Sequence, residues 1–309
     1  MILTVTCNPA LDTTYEVDGF IAGGVNRVRR VTVVPGGKGV NVSRILAQMG
    51  EPTTATGIAD SYFGPHLHSH GVSVDFVEGL DLVRRTVVVH DHAGETTSLW
   101  EPGYPAGAGA QAALIDKVTS LLSCADALVV SGSLAPGLGH DLPVRLAHAA
   151  HGWGLPALLD VDGRALQHAV AAPAVVLPNE EEFRRLVGSR GVVDIVAAVR
   201  ALGRSAPMVV TLGRRGMVAV TDEGAWHAEP PEALAGNPTG AGDAATAAIA
   251  LGLARGMPWP DIVREAVAVS GAAVVAHVAG EYDEATYYRW RREVPVRQIT
   301  HYEIGEGTC

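Results

Sequence analysis

The stretch GNPTGAGD at residues 236–243 decides the fold and the chemistry of this chain. An Ala-rich run from Ala244 to Leu253 follows it directly, so the stretch predicts a turn that opens onto a helix N-terminus. Glycines allow a backbone to approach a ligand closely and to point several N–H groups in one direction. A helix N-terminus adds roughly half a positive charge. The stretch therefore predicts a site for a phosphate group or a developing oxyanion.

Asp243 lies in the first turn of this predicted helix. A fixed negative charge is unexpected at a site that binds anions. Its presence is explained if Asp243 accepts a proton from a hydroxyl group. The amides of Gly240, Ala241 and Gly242 would then hold the phosphoryl group that this hydroxyl attacks. An N-cap aspartate on an ordinary buried helix is the alternative interpretation.

A second glycine-rich stretch, PGGKGVNV at residues 35–42, has the same character. It precedes a predicted helix whose apolar residues recur at helical spacing, namely Val42, Ile45, Leu46 and Met49. Lys38 among closely packed amides suits a phosphate or a sugar hydroxyl, and Asn41 can both donate and accept a hydrogen bond. The stretch is not a Walker A loop, because Gly39 follows Lys38, and it lacks the GxGxxG pattern of dinucleotide binding.

Short apolar runs alternate with helical patterns along the chain. The strand-like runs are Ile2–Val5, Ala127–Val130, Ala157–Leu159, Ala174–Leu177 and Met208–Thr211, and helical stretches include Ala110–Leu122 and Leu142–His151. This alternation predicts a parallel sheet covered on both faces, with ligands bound at the carboxyl ends of its strands. The segments Thr14–Val34 and Val83–Leu99 carry strand-like residues without an intervening helix, which predicts antiparallel strands away from the main sheet.

The composition of the chain limits the classes of protein to which it can belong. Hydrophobic residues make up 48% of the 309 residues, which is ample for one large domain. No apolar run reaches the roughly 18 residues of a membrane-spanning helix, and MILTVT at the N-terminus indicates a first strand rather than a signal peptide. Cys7, Cys124 and Cys309 are widely spaced, which favours free thiols and a cytoplasmic protein. The net charge of −10 argues against nucleic-acid binding.

The two glycine-rich motifs in this order resemble those of the ribokinase-type (PfkB) carbohydrate kinases, and the resemblance covers roughly Met1 to Gly280. The opening TVTCNPALD at residues 4–12 and the pair Asn26-Arg27 resemble the branch that phosphorylates sugar phosphates, which includes 1-phosphofructokinase and tagatose-6-phosphate kinase. The resemblance implies an α/β fold, a ribokinase-like three-layer α/β/α sandwich with a mostly parallel central sheet and a small β-sheet lid. We expect a single kinase domain over 1–309, with lid segments at about 12–34 and 83–100. A homodimer through the lid is a further expectation.

The resemblance also implies a set of sugar-binding residues. These are Asp12, Gly37, Lys38, Asn41, Arg85 and Arg27. A carboxylate such as Asp12 accepts strong hydrogen bonds from sugar hydroxyls. Arg84 precedes Arg85, and the alternation of side chains along a strand allows only one of the two to face the site.

ATP and Mg²⁺ are the cofactors that the resemblance implies. The expected ATP-binding residues are Thr211, Gly213, Gly216, Asn237, Thr239 and His277. Asn179 and Glu182 would organise Mg²⁺ and its waters, since this ion keeps much of its water shell and needs few protein ligands. The same pair has the spacing of a capping box, which is the structural alternative.

The sequence therefore predicts an ATP-dependent kinase that acts on a phosphorylated ketohexose, with fructose 1-phosphate as the first candidate. The chain departs from the branch in several places: Leu177 replaces its usual lysine, the middle glycine of a GGxxG pattern is absent between Gly57 and Gly64, and Trp100 and Ser98 replace polar or cationic residues. A kinase of tagatose 6-phosphate, of fructose 6-phosphate or of an unphosphorylated sugar or nucleoside is the nearest alternative. A non-catalytic binding protein with the same fold is an alternative of a different class.

Overall fold

The structure is a computed structural model that describes residues 1–68, 72–234, 236–276 and 278–305. The strands are β1 Ile2–Thr6, β2 Ala10–Val17, β3 Val28–Gly36, β4 Thr53–Ala59, β5 Ser73–Val74, β6 Val77–Glu78, β7 Arg84–Asp91, β8 Thr96–Trp100, β9 Ala127–Ser131, β10 Ala157–Asp160, β11 Val175–Val176, β12 Val193–Asp194, β13 Met208–Thr211, β14 Met217–Val220, β15 Ala225–Ala228, β16 Val296–Ile299 and β17 Glu303–Ile304.

The helices lie between these strands, as the alternating pattern predicts. They are α1 Lys38–Gln48, α2 Phe63–His68, α3 Ala110–Leu121, α4 Leu142–Gly152, α5 Gly163–Ala169, α6 Glu180–Val187, α7 Ile195–Ala201, α8 Ala241–Ala254, α9 Trp259–Val274 and α10 Glu284–Glu293. Short 3₁₀ turns occur at Leu122–Cys124 and Gly213–Arg215. Within the described ranges, no helix is both long enough and apolar enough to cross a membrane.

The central sheet is large and mostly parallel, which confirms the predicted fold class. Its strand order is β16-β15-β14-β13-β11-β10-β9-β1-β4-β5, and β6 also pairs with β4. Every pairing from β13 through β5 is parallel, whereas β14, β15 and β16 form an antiparallel edge. The predicted strand Ala174–Leu177 is shorter in the structure, because only Val175 and Val176 pair with β10 and only Val176 pairs with β13.

Both faces of the central sheet carry a buried apolar layer. Leu3 and Val5 of β1 belong to one layer, while Ile2 belongs to the other, as expected when successive side chains point to opposite faces. Helices α2 to α7 pack on the first layer, and α1, α8, α9 and α10 pack on the second. The result is a three-layer α/β/α sandwich, and the carboxyl ends of β1, β9 and β10 lie together at one edge.

A separate four-stranded sheet, here called the small sheet, has the order β3-β2-β7-β8. Its strands come from the two segments that the sequence placed away from the main sheet. The prediction of antiparallel pairing is wrong for one pair, since β2 and β7 run parallel, while the other two pairs are antiparallel. A long connection through the central sheet returns the chain to the same edge and allows this parallel pairing.

The C-terminal segment closes the far edge of the second layer. Helix α10 buries Tyr287 and Trp290, and β16 extends the central sheet next to β15. The ring of Trp290 lies against Gly271 of α9 so closely that a Cβ at position 271 would overlap it. Gly271 is therefore required by packing and not by its backbone conformation, which is helical.

We predict that Gly271→Ala lowers the free energy of unfolding. The added methyl group must displace a side chain that is 1% exposed, and overpacking of this kind costs about 1–3 kcal/mol. Gly152→Ala is the matched control, since Gly152 is also helical but has open space around its Cβ position. Urea denaturation of both variants checks the prediction, and equal stability of the two would contradict this packing.

Candidate active site

The N-terminus of α8 carries the GNPTGAGD stretch. Gly240 is the N-cap and has a φ of 90°, a conformation that favours glycine. A Cβ there would also lie 3.1 Å from the Cα of Ala279. The amides of Ala241 and Gly242 follow in the first turn, and Asp243 is buried beside them. The predicted glycine turn with a carboxylate in the first helical turn is therefore present.

The N-terminus of α1 meets the same place from the other side. Gly37 is its N-cap with a φ of 103°, and a Cβ on Gly39 would overlap the hydroxyl of Thr6. These glycines let α1 lie directly against the carboxyl end of β1. Asn41 lies in the first turn of α1 and is buried.

A hydrogen bond joins the two helix N-termini. Nδ2 of Asn41 donates to Oδ2 of Asp243 over 2.8 Å, across 202 positions of sequence. The other amide atom of Asn41, Oδ1, is buried and has no partner among the described residues. Because a buried polar atom without a partner is costly, Oδ1 is a ready acceptor for a ligand hydroxyl.

The electrostatic surroundings of Asp243 favour proton transfer. Burial raises the pKa of Asp243 to about 7, and the Asp160 carboxylate also raises it. The Lys38 ammonium and the hydrogen bond from Asn41 oppose this and lower the pKa of Asp243. A carboxylate with a pKa near neutrality can accept a proton from a substrate and release it again.

Lys38 lies among acidic groups. Its Nζ is 3.1 Å from Oδ1 of Asp160, and the pKa of Lys38 is raised chiefly by Asp160 and further by Asp243 and Glu182. Asp160 ends β10, and its Oδ2 accepts a hydrogen bond from Ser131 over 2.8 Å. The predicted contact of Lys38 with the sugar and its existing phosphate stays a prediction, and the ammonium is paired here with Asp160.

Asp12 and the arginines of β7 lie on the small sheet, close to its junction with the body. Asp12 accepts a hydrogen bond from the Thr86 hydroxyl, and burial raises the pKa of Asp12. Arg84 lies two positions before Thr86, on the same face of β7. Its positive charge lowers the pKa of Asp12 and so opposes that rise. Arg85 points to the opposite face and is exposed.

The structure therefore places Arg84, and not the predicted Arg85, on the face of Asp12. Strand phase decides the choice, because Asp12 is directly paired with Thr86 and only even-numbered residues of β7 share its face. Arg27 is exposed in the connection before β3. No contact between Arg27 and Asp12, Lys38 or Asn41 is seen within the described part of the chain.

A cavity of about 590 Å³ opens on the other side of the α8 N-terminus. Thr211, Gly213 and Gly216 line it at the end of β13, and Ala241 and Gly242 line it at α8. Its apolar wall comes from α9 and α10, with Val267, Val274 and Trp290. The volume falls within the range of small-molecule and cofactor sites.

Two of the other predicted ATP-binding residues do not line this cavity. Asn237 and Thr239 instead form a local turn, in which Oδ1 of Asn237 accepts from the Thr239 amide over 3.0 Å. Short-range bonds of this kind are common for asparagine in turns. His277 lies outside the described residues.

Asn179 and Glu182 form a capping box at the start of α6. Oδ1 of Asn179 accepts from the Glu182 amide, and Oε2 of Glu182 accepts from the Asn179 amide, each over 2.9 Å. The helix-capping role, which is the alternative to metal binding, is therefore present. Glu182 nevertheless has a second carboxylate oxygen, burial raises the pKa of Glu182, and Lys38 lies close enough to lower it.

These two residues fit a magnesium ion that arrives with a nucleotide. Oxygen donors suit Mg²⁺, and Asn179 lines the cavity. In the part of the chain that the structure describes, no set of three or more His, Cys, Asp and Glu residues is arranged to hold a metal. Because Mg²⁺ keeps much of its water shell, phosphate oxygens of the nucleotide and water would complete its coordination.

The predicted site residues do not include two that the geometry brings into the site. Asp160 holds Lys38, and Arg84 lies beside Asp12. The position of Asp160 as the last residue of β10 is the signal that identifies it, because ligands bind at the carboxyl ends of parallel strands. Arg84 cannot be separated from Arg85 without the strand register.

Comparison with known proteins agrees with this geometry. The family model described as pfkB family carbohydrate kinase matches residues 6–285. The chain belongs to this family. Its structure is similar to that of phosphofructokinase-2 from Escherichia coli, with a TM-score of 0.86 and 30% identity over 94% of this chain and 98% of that chain.

Two further solved structures are relevant. One is the same Escherichia coli protein in complex with fructose-6-phosphate, with a TM-score of 0.84 and 29% identity over 94% of this chain and 98% of that one. The other is described as a possible 1-phosphofructokinase from Thermotoga maritima, with a TM-score of 0.83 and 23% identity over 97% and 99% of the two chains. At that identity, the second likeness concerns the fold alone.

The family assignment confirms three predictions. The fold is ribokinase-like, the chain is a sugar kinase, and the reaction is phosphoryl transfer. Sugar kinases of this family use ATP, generally with Mg²⁺. The roles of the individual residues of this kinase remain predictions.

We predict that Lys38→Met raises the pKa of Asp243 above the value of about 7 in the native chain. The variant removes the positive charge that lowers the pKa of Asp243 but keeps a similar unbranched side chain. Carbon-13 NMR of aspartate-labelled protein measures the titration midpoint. Lys117→Met, which removes a lysine paired with Asp75 elsewhere, should leave that midpoint unchanged. An unchanged midpoint in Lys38→Met would contradict the proximity of the two charges.

Proposed function

We propose that this kinase transfers the γ-phosphoryl group of ATP to a hydroxyl of a phosphorylated ketohexose, with fructose 1-phosphate converted to fructose 1,6-bisphosphate as the first candidate. The observation that carries the proposal is the buried Asp243, whose pKa is raised to about 7 at a glycine-rich helix N-terminus. It lies between the cavity on one side and Asn41 on the other. A base placed between a nucleotide and an acceptor is what phosphoryl transfer to an alcohol requires.

The protein's part in the reaction follows from the positions of these groups. Asp243 accepts the proton of the attacking hydroxyl. The amides at Gly240, Ala241 and Gly242, with the partial positive charge of α8, stabilise negative charge on the transferred group. Thr211, Gly213 and Gly216 line the part of the cavity that would hold the nucleotide. Positioning and electrostatic stabilisation supply most of the catalysis in this chemistry.

Magnesium would enter with the nucleotide. Bound there, it would neutralise charge on the phosphate oxygens, and Asn179 and Glu182 would hold it through oxygen atoms and water. The capping box keeps the Glu182 carboxylate in a single orientation while leaving one oxygen for this purpose.

The acceptor would lie between the small sheet and α1. The Asp12 carboxylate and the unpaired Oδ1 of Asn41 are the hydrogen-bond acceptors for its hydroxyls. Arg84 is the cation on this face that would meet an existing phosphate. The solved complex of the Escherichia coli relative with fructose-6-phosphate supports a sugar phosphate as the class of acceptor.

A coupled ADP-release assay with Mg-ATP tests the proposal. The panel comprises fructose 1-phosphate, fructose 6-phosphate, tagatose 6-phosphate, fructose, ribose and adenosine. The proposal predicts the highest kcat/KM with a phosphorylated ketohexose. Turnover with an unphosphorylated acceptor alone would instead identify a kinase of an unphosphorylated sugar or nucleoside. Absence of turnover with the entire panel would contradict the proposed substrate class.

We predict that Asp243→Asn lowers turnover by about 10²–10⁴-fold, the usual contribution of a positioned base. Asparagine can still bond to Asn41 but cannot accept the proton. The KM for ATP should change little, because Asp243 is not among the residues that line the cavity. Near-normal kcat in this variant would rule out Asp243 as the base.

The same variant has an expected effect on stability. Burial raises the pKa of Asp243 above the ordinary aspartate value, so its ionised form costs folding free energy, and this cost is fully present only above about pH 7. Asp243→Asn should therefore unfold at the same temperature as the native chain or higher at pH 8, with a smaller difference at pH 5. Thermal melts at both pH values check this and show that lost turnover is not lost folding.

The small sheet would act as a lid within a single kinase domain, and its outer face would bind a second copy of the chain. Val31, Val33 and Leu99 alternate away from Asp12 and are 55%, 43% and 58% exposed. Val31 and Val33 lie on β3 and Leu99 lies on β8, so exposed apolar side chains occur at both edges of this face. Such a face suits a symmetric contact between two copies.

We predict that the double variant Val31→Asp, Leu99→Asp halves the molar mass measured by light scattering, from two chains to one. Charges placed in an apolar contact lose solvent without gaining partners. Val192→Asp is the matched control, because Val192 is 59% exposed but lies next to β12. A native chain that is already a single copy would contradict the dimer.

A further inference from the structure

Trp100 lies on the face of the small sheet that carries Asp12. In the strand register, Asp12 is opposite Thr86, and Thr86 is opposite Trp100. Directly paired residues of neighbouring strands point to the same face, and the bond from Thr86 to Asp12 confirms the direction for that pair. Neighbouring strands are about 4.8 Å apart, so the backbone of Trp100 lies about two strand spacings from that of Asp12.

The segment around Trp100 is anchored to the body of the molecule. Nη1 of Arg84 donates to the Glu101 carbonyl over 2.9 Å, and Nδ2 of Asn8 donates to the Pro102 carbonyl over 3.1 Å. Trp100 is therefore held at the base of the small sheet, beside the arginine of the site. The free tip of the sheet, at the turn between β7 and β8, lies at the other end of these strands.

Leu99 and Trp100, which are neighbours in sequence, point to opposite faces of the small sheet. Leu99 points to the apolar outer face with Val31 and Val33, while Trp100 points to the Asp12 face. Single exposed apolar side chains are common on protein surfaces, so the 74% exposure of Trp100 has no weight by itself. Its position among Asp12, Thr86 and Arg84 is the informative observation.

The chemistry of this face favours an acceptor that is held partly by stacking. Arg84 already gives Nε and Nη1 to the carbonyls of Asn8 and Glu101, and Lys38 is paired with Asp160. The N–H groups that remain on Arg84 can still meet an existing phosphate, but they make no contact with the carbon face of a sugar. An indole ring offers a broad apolar surface for that face, on which the C–H groups of a sugar ring or a sugar chain can lie while its hydroxyls meet Asp12.

We propose that Trp100 forms the outer wall of the acceptor site and determines acceptor specificity by stacking on the carbon face of the sugar. The inference rests on the proposed function, since it takes the acceptor to lie against Asp12. The stacking contact forms with the acceptor and not with the nucleotide, because Trp100 is not among the residues that line the cavity at α8.

The test compares Trp100→Ala and Trp100→Phe in the ADP-release assay, with the best acceptor of the panel. Trp100→Ala should raise the KM for that acceptor about tenfold, the size expected when one aromatic contact is lost. Trp100→Phe should restore most of the affinity, and the KM for ATP should stay unchanged in both. Trp153→Ala, at another exposed tryptophan at the end of α4, is the control and should leave both KM values unchanged. An unchanged acceptor KM in Trp100→Ala would overturn the proposal.

Two further readouts distinguish an acceptor wall at Trp100 from a contact between copies and from a failure of the proposed reaction. Light scattering of Trp100→Ala should show the same molar mass as the native chain, and a change to single chains would overturn the proposal by assigning Trp100 to the contact between copies. If no acceptor is turned over, saturation-transfer NMR with fructose 1-phosphate and fructose measures binding directly. If the native chain binds the sugar and Trp100→Ala does not, the role of Trp100 in the acceptor site is supported even though the proposed reaction fails. If the native chain binds no sugar, both the proposed reaction and the role of Trp100 are overturned.

Discussion

The hydrogen bond between Asn41 and Asp243 is the contact on which the site depends. It joins the first turns of two helices that belong to opposite ends of the chain but to the same layer of the sandwich. Glycines at the two N-caps, Gly37 and Gly240, adopt backbone conformations that place these turns side by side. Because the contact is buried, Asp243 is desolvated, and this burial raises the pKa of Asp243 to about 7. Packing of the two helices thus gives a buried carboxyl group whose pKa lies near neutrality.

The positive charge of Lys38 offsets the negative charges around Asp243, so the Asp243 carboxyl group can remain buried. Asp243, Asp160 and Glu182 all lie close enough to the Lys38 ammonium to raise the pKa of Lys38. Without this cation, burial and the neighbouring carboxylates would raise the pKa of Asp243 further, so Lys38 keeps Asp243 ionisable near neutral pH. At the N-terminus of α8 beside it, the Ala241 amide donates to the Pro238 carbonyl over 3.1 Å.

Much of the fold and part of the site could be predicted from the sequence. The period of the apolar residues identified the parallel sheet, and the glycine stretches located both helix N-termini, since these features depend on local chemistry. The rest depends on the register between distant strands. Arg84 and Arg85 differ only in strand phase, which the pairing of β2 with β7 decides. Glu182 has the spacing of a capping box and also the charge for a metal, and local sequence cannot separate two roles that one carboxylate can combine. Thr239 and Asn237 bond to each other, although the same residue types suit a nucleotide.

A crystal structure of the protein with Mg²⁺ and a non-hydrolysable ATP analogue would test whether Asp243 lies between nucleotide and acceptor. We expect the nucleotide in the cavity bounded by Thr211 and Gly242. Its terminal phosphate should accept hydrogen bonds from amides at Gly240–Gly242, with the Asp243 carboxylate facing the acceptor side. A terminal phosphate bound away from the α8 N-terminus, or an Asp243 carboxylate closed off from the acceptor side, would rule out this arrangement.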